Sequence, residues 1–137
     1  MKVFVINLDK NKERMMFMDA QLKRLGIEYE RVSAIYGKEL SLEVRKRDFS
    51  KVRSFLASGV RLRDGEIGCA LSHCKIYKEM DAKEIAVAVV LEDDVVVTDE
   101  MPNVLSQVRM FLDCEKAQVF LLSSFGENNA REMALKG

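Results

Sequence analysis

The chain has 137 residues, 22 basic and 22 acidic side chains, and a hydrophobic share of 48%. This length and balance are typical of one globular domain, so residues 1–137 are expected to form a single unit with a core of its own. The balanced charge gives no electrostatic reason to expect a nucleic-acid partner, and no apolar run approaches the roughly 20 residues of a membrane-spanning helix.

The first third of the chain predicts a strand, a helix and a second strand. "KVFVINL" (2–8) is almost continuously apolar, which is typical of a strand covered on both faces. Residues 9–26 carry apolar side chains at three- and four-residue steps, which predicts an amphipathic helix ended by Gly26. "IEYERVSAIYG" (27–37) then predicts a second strand, and the three elements form a right-handed βαβ unit.

The rest of the chain continues this alternation. Residues 66–83 predict a helix that is apolar on two sides, and "IAVAVVLEDD" (85–94) is the strongest strand signal. The other predicted elements are a short helix over 41–49, a loop over 50–65, a helix from Pro102 to Leu112 and a buried strand over 118–124. Alternating strands and helices predict an α/β fold with a mostly parallel sheet flanked by helices. The two continuous apolar runs, "KVFVINL" (2–8) and "IAVAVVL" (85–91), need cover on both faces and are expected to be neighbouring central strands.

Three acidic side chains, Glu92, Asp93 and Asp94, follow directly on that strongest strand. Burying an unpaired carboxylate is costly, so these side chains are expected on the rim of the sheet. Ligands of open parallel sheets bind beyond the carboxyl ends of the strands, and carboxylate oxygens suit Mn²⁺ or Mg²⁺ shared with a phosphate. The alternative is an inert, solvated acidic turn, and composition leaves the two interpretations equally open.

The one histidine, His73, lies on the same predicted helix as Cys69 and Cys74. Cys69 and His73 are one turn apart, but Cys74 points to another side, so the helix offers two ligands on one face and zinc is not expected. Both cysteines are interpreted as core residues, and the simplest interpretation of His73 is a core histidine with its hydrogen bonds satisfied. Three cysteines at irregular spacing fit a reducing compartment, which predicts a cytoplasmic protein.

A basic segment carries seven cationic side chains against one acid, Asp48: Arg45, Lys46, Arg47, Lys51, Arg53, Arg61 and Arg63. The simplest interpretation is a solvated surface. The functional alternatives are attraction to an anionic acceptor, to a donor diphosphate, or to the inner membrane surface as a peripheral contact.

Four segments occur in a distinctive order: "VFVINLDKNKER", "YERVSAIYGKEL", "GEIGCALSHCKIYKEM" and "AVVLEDDV". Together they resemble the bacterial lipooligosaccharide galactosyltransferases of glycosyltransferase family 25, whose relatives include collagen galactosyltransferases. The resemblance extends to about residue 125. It implies a GT-A-like, Rossmann-type domain that binds a UDP-sugar, and it corresponds to the N-terminal portion of a longer family pattern.

The resemblance also implies roles for individual residues. The acidic triplet resembles the DxD motif of such enzymes, with Asp94 as the first metal ligand, Asp93 as a second or water-mediated ligand, and Glu92 as a ribose or structural contact. Mn²⁺ or Mg²⁺ is the implied cofactor. The remaining implied donor-site residues are Asn7, Leu8, Asp9, Arg14, Ala34, Gly37, Glu66, Gly68, Ser72 and His73, with Arg14 meeting either a phosphate or a carboxylate.

The implied activity is transfer of a hexose, galactose by resemblance, from a UDP-sugar to a lipooligosaccharide or lipopolysaccharide acceptor. No motif identifies the general base that an inverting transfer needs. The chain is therefore expected to be truncated at its C-terminus, with an open flank that favours homodimers. The alternative is a non-catalytic domain that binds nucleotide-sugars or serves a structural role.

Overall fold

The computed structural model describes residues 1–41, 43–44 and 63–111. Its elements are β1 (Lys2–Asn7), α1 (Lys12–Arg24), β2 (Glu30–Ser33), a 3-10 helix (Gly37–Glu39), α2 (Asp64–Ala82), β3 (Ala88–Glu92) and α3 (Met101–Phe111). The strand order is β2-β1-β3, and both neighbouring pairs are parallel. The predicted parallel α/β fold, with the first and the strongest strands as neighbours, is confirmed. The predicted strand over 118–124 and most of the basic segment lie outside the described residues.

Two separate cores cover the two faces of this sheet. Val3 and Val5 of β1 pack with Met18 and Leu22 of α1, in a cluster that also holds Val89 and Leu91 of β3. Phe4 and Ile6 pack on the other face with Val32 of β2 and Ile76 of α2. Successive strand side chains point to opposite faces, so a continuously apolar strand needs helices on both sides. Within the described residues, no helix is long and apolar enough to cross a membrane.

The second strand is shorter than the predicted range of 27–37. Gly26 has a φ of 65° and ends α1 as predicted, and the Ile27 amide donates to the Leu22 carbonyl at 2.9 Å. The residues directly after α1 therefore close the helix instead of entering the sheet. Beyond Ser33, the Ile35 amide donates to the Ser72 hydroxyl at 2.8 Å, which turns the chain away from β1 and towards α2.

The third strand is also shorter than predicted, for a similar reason. The Ile85 amide donates to the Met80 carbonyl at 2.8 Å, so residues assigned to the strand start complete the end of α2. Glu84 has a φ of 53°, which permits this tight reversal. The strand ends at Glu92, and Asp93 and Asp94 form the following turn.

Helix α2 buries one face, made of Ile67, Gly68, Ser72 and Ile76, and not the two apolar sides that its sequence suggested. A methyl group on Gly68 would lie 2.4 Å from the Ile35 carbonyl oxygen, and one on Gly37 would lie 1.7 Å from the Asp64 carbonyl oxygen. The start of α2 and the 3-10 helix therefore touch backbone to backbone, which only glycine permits. This contact sets how closely α2 approaches the end of β2.

Replacing Gly68 with alanine should destabilise the fold, because the backbone atoms of Ile35 and Gly37 that face this position cannot move aside for a methyl group. We expect Gly68→Ala to lower the free energy of unfolding by about 1–3 kcal/mol or more, as overpacking does. Gly65→Ala is the matched control in the same helical turn, since a methyl group there meets nothing within 4 Å. Alanine has the higher helix propensity, so the control should gain up to about 1 kcal/mol. Urea unfolding measures both, and equal stabilities of the two variants would contradict the close approach.

Candidate functional site at the carboxyl ends of the strands

Polar side chains gather where the three parallel strands end, at Asn7, Ser33 and Glu92. This edge of an open parallel sheet is the usual place for a ligand. The side chains there divide between the two faces of the sheet, because neighbouring positions of a strand alternate. Asp93 reaches towards α1, whereas Glu92 reaches towards α2.

Asn7 is the centre of the face that α1 covers. Its side chain is buried, with the residue 2% exposed, and its Nδ2 donates to Asp93 Oδ2 at 2.6 Å and to the Asn11 carbonyl at 3.0 Å. Its Oδ1 accepts a hydrogen bond from Arg31 Nε at 3.0 Å. The amide thus uses both donors and its acceptor, which offsets the cost of burying a polar group. Among the described residues, no buried side-chain nitrogen or oxygen lacks a hydrogen-bond partner.

Asp93 and Asp94 are adjacent but lie in different surroundings. Asp93 is 8% exposed, and its Oδ1 lies 3.2 Å from Arg14 Nη1. Asp94 has a side chain that is 56% exposed, and its Oδ2 lies 3.3 Å from the same Arg14 nitrogen. All three acids thus lie at the rim of the sheet as expected, but Asp93 is buried there, where Asn7 donates a hydrogen bond to it and Arg14 neutralises its charge. Of the two roles implied for Arg14, the contact with carboxylates is the one present.

Asp9 lies on the exposed outer part of this face, beside β2. Its carboxylate accepts from Arg31 at 2.5 Å and from the Ser33 hydroxyl at 2.9 Å. The Arg31 guanidinium, followed by Ser33, holds the pKa of Asp9 below its usual range. Leu8 contributes its carbonyl, which accepts from the Asn11 amide at 2.8 Å.

A surface crevice of about 400 Å³ opens between α1 and β2, next to this network. It is lined by Asn7, Asp9, Lys12, Met15, Met16, Asp19, Tyr29 and Arg31. Four of these eight residues are charged, so the crevice is more polar than the mostly apolar lining of a typical small-molecule pocket.

The opposite face of the edge holds a second polar cluster. Glu92 Oε1 accepts a hydrogen bond from Cys69 Sγ at 3.4 Å and lies 3.6 Å from His73 Nε2. The neighbouring imidazole, with Cys69 as a further donor, holds the pKa of Glu92 below its usual range although partial burial acts against this. Burial and the Glu92 carboxylate raise the pKa of Cys69 to about 11. Both Cys69 and His73 are half-buried, so Cys69 is not the core residue that its helical position suggested.

Helical spacing alone does not reveal Glu92 as a partner of Cys69 and His73, because it relates only residues of the same helix. The signal was present in the strand. Ala88 and Val90 pack in the α2-facing core, and Glu92 follows them at the same two-residue step. The α2 face therefore offers three potential metal ligands, Cys69 and His73 from the helix and Glu92 from the strand.

The other predicted site residues lie away from this edge or serve the packing of α2. Ala34 packs in the core beside Ile76, and Gly37 and Gly68 form the backbone contact described above. Glu66 accepts the backbone N–H of the residue that precedes α2, at 2.6 Å. Contacts of these residues with a nucleotide remain predictions.

Removing the Asn7 amide should destabilise the protein by leaving Asp93 buried without its closest donor. We expect Asn7→Leu, which keeps the branched shape of the side chain, to cost about 3 kcal/mol of unfolding free energy, since a buried charged group that loses a hydrogen bond is expensive. Ser33→Ala is the control, because it removes a single hydrogen bond to the exposed Asp9 and should change stability by less than about 0.5 kcal/mol. Denaturant unfolding of both variants tests this, and an Asn7→Leu protein as stable as the wild type would contradict it.

Comparison with known proteins identifies a family and several relatives of this chain. The family model described as "Glycosyltransferase family 25 (LPS biosynthesis protein)" matches residues 1–135. The chain is 38% identical over 96 residues to "Procollagen galactosyltransferase 1-A" of Xenopus laevis, which covers 68% of this chain and 16% of the relative. It is 31% identical over 144 residues to "Glycosyltransferase 25 family member" of Drosophila melanogaster, covering 96% of this chain and 22% of the relative.

Not every relative carries the name of an active enzyme. The chain is 36% identical over 97 residues to "Inactive glycosyltransferase 25 family member 3" of Mus musculus, covering 69% of this chain and 16% of the relative. The chain thus spans a fifth or less of the frog and mouse relatives and little more of the fly relative. The match over nearly its full length, together with the parallel sheet and the acidic strand end, shows that the chain belongs to glycosyltransferase family 25.

Proposed function

We propose that this chain binds a nucleotide-diphosphate sugar at the carboxyl edge of its sheet and serves glycosyl transfer. The proposal rests on the different surroundings of two adjacent acids. Asp93 is buried and hydrogen-bonded, whereas Asp94 is exposed to solvent. Asp93 is held by Asn7 and Arg14, and this fixes the turn that presents Asp94. A carboxylate held rigidly at a strand end is the arrangement that a shared cation and phosphate require.

A hard divalent cation, Mn²⁺ or Mg²⁺, fits Asp94 better than Asp93. The Asp94 carboxylate is exposed and contacts one arginine, whereas both Asp93 oxygens are already engaged by Asn7 and Arg14. Asp94 would then bind the cation directly and Asp93 through a water molecule. When bound, such a cation supplies positive charge to a diphosphate leaving group. Arg14, which bridges the two acids, would add a second positive charge beside the same group.

The crevice between α1 and β2 suits the nucleoside part of the donor. It begins at Asn7 and Asp9 and is large enough for part of a nucleotide-sugar. Galactose is the proposed sugar, because three relatives are named procollagen galactosyltransferases, and a UDP-sugar is the proposed donor. The family description names LPS biosynthesis, which supports a lipopolysaccharide or lipooligosaccharide acceptor. The proposed location, in the cytoplasm or at the inner membrane surface, rests on the cysteine usage and the basic segment of the sequence.

Titration calorimetry of UDP-galactose tests donor and metal together. We expect Mn²⁺ to strengthen UDP-galactose binding at least tenfold in the wild type. It should have no effect on the affinity of Asp94→Ala, because without this carboxylate no cation is held to neutralise the diphosphate. Asp81→Ala is the matched control. It removes the same charge from an exposed position at the opposite edge of the sheet, where α2 ends and the chain enters β3, and it should bind the donor like the wild type. Equal affinity with Mn²⁺, with a chelator and in Asp94→Ala would overturn the proposed site.

A second candidate function is binding without transfer, which the name of the mouse relative favours. The described residues at the sheet edge suggest a donor site, and none is positioned there as an evident base for an acceptor hydroxyl. We expect the 137-residue chain to transfer galactose to a lipooligosaccharide core very slowly or not at all, because positioning and base catalysis supply many powers of ten in rate. The reference is a longer family member, whose transfer rate is measured in the same assay. Similar turnover would exclude the binding-only function, and Glu66 and Asp113 would be the first acids to test as the base.

A further inference from the structure

The cluster on the α2 face of the sheet edge combines three different metal-ligating groups. Cys69 and His73 are four residues apart in α2, so their side chains lie on the same side of the helix, and Glu92 closes the group from the end of β3. One ligand atom from each of the three residues lies within 4.8 Å of the other two.

Two of the three distances match those between ligands of one tetrahedral ion, and the third, between Cys69 and His73, is within 4.8 Å. Zinc binds sulfur at about 2.3 Å and nitrogen or oxygen at about 2.0–2.2 Å, so two of its ligand atoms are about 3.3–3.6 Å apart. Glu92 Oε1 lies 3.4 Å from Cys69 Sγ and 3.6 Å from His73 Nε2. The side chains therefore need only small movements to enclose an ion.

The donor set also selects the type of metal. A thiolate and an imidazole are borderline or soft ligands that prefer zinc to Mn²⁺ or Mg²⁺, whereas the Asp93 and Asp94 carboxylates on the other side offer hard oxygens. One thiolate and one carboxylate neutralise the two charges of zinc. The Glu92 side chain is half exposed, so a fourth position is open to water or to another ligand.

We propose that Cys69, His73 and Glu92 form a three-ligand site for a thiophilic divalent cation of the zinc type. The site joins α2 to the end of β3 and so fixes the turn that begins with Asp93 and Asp94. It uses neither Asp93 nor Asp94, the acids proposed to bind the donor cation. The family resemblance implies Glu92 and His73 as donor-site residues as well, so binding at this site is measured without nucleotide.

Cobalt substitution tests the site directly, because Co²⁺ takes zinc geometry and reports its ligands in the absorption spectrum. We expect one Co²⁺ per chain to give a thiolate charge-transfer band and the intense visible bands of a four-coordinate ion, both bleached by Zn²⁺. Cys69→Ser should abolish the charge-transfer band. His73→Asn and Glu92→Gln should weaken binding by more than the roughly 10- to 100-fold that loss of an outer-shell partner causes.

Cys74→Ser is the matched control, since Cys74 is half-buried in the same helix and is not one of the three clustered groups. It should retain the spectrum and affinity of the wild type. Loss of the band in Cys74→Ser with retention in Cys69→Ser would overturn the proposal, as would Co²⁺ bound without a thiolate band.

A measurement on the unmodified chain avoids dependence on variants that fail to fold. Zinc-edge X-ray absorption of the 1:1 complex should show one sulfur at about 2.3 Å with nitrogen and oxygen at about 2.0–2.2 Å. Calorimetry in buffers of different ionisation enthalpy should show proton release on binding, because the cysteine must lose its proton. A zinc shell with no sulfur, or no binding of zinc at micromolar protein, would refute the site.

Discussion

The buried amide of Asn7 holds the carboxyl edge of this domain together. It is the last residue of the central strand, and it contacts the turn after β3, the start of α1 and an arginine of β2. A leucine in its place would fill the volume but would leave a buried carboxylate and a guanidinium without this partner. The apolar part of the sheet sets how the layers stack, whereas this polar contact sets where the strand ends lie relative to one another.

The two faces of the same sheet edge have different chemistry because a strand alternates. Asp93 follows Val89 and Leu91 towards α1, where Arg14 and Asn7 meet it. Glu92 follows the opposite row towards α2, where a thiol and an imidazole meet it. Consecutive acids in the sequence thus belong to separate environments, one suited to hard cations and phosphate and the other to a softer metal.

Close backbone packing places α2 against this edge. Gly68 and Gly37 leave no room for a side chain, and the Ser72 hydroxyl accepts the Ile35 amide while donating to the Gly68 carbonyl at 2.7 Å. These contacts hold α2 beside the end of β2, with Cys69 and His73 within reach of Glu92. A larger residue at position 68 would push the helix out and separate the three ligand atoms. The packing residues of α2 therefore support its polar cluster.

The sequence by itself determined the fold class, the neighbouring apolar strands and the place of the acidic triplet, because hydrophobic periodicity reports local structure and burial. It also determined the family, since four segments in order are specific, although donor, acceptor and metal remain proposals. It did not determine where β2 and β3 begin, because Ile27 and Ile85 have strand-like character yet complete the helices before them. Only the tertiary structure decided that Asp93 is buried and that Glu92 joins Cys69 and His73. Both outcomes depend on partners distant in the chain, such as Asn7 for Asp93. The alternation of β3 indicates the face on which Glu92 lies, but the side chains that meet it there depend on how α2 packs against the sheet.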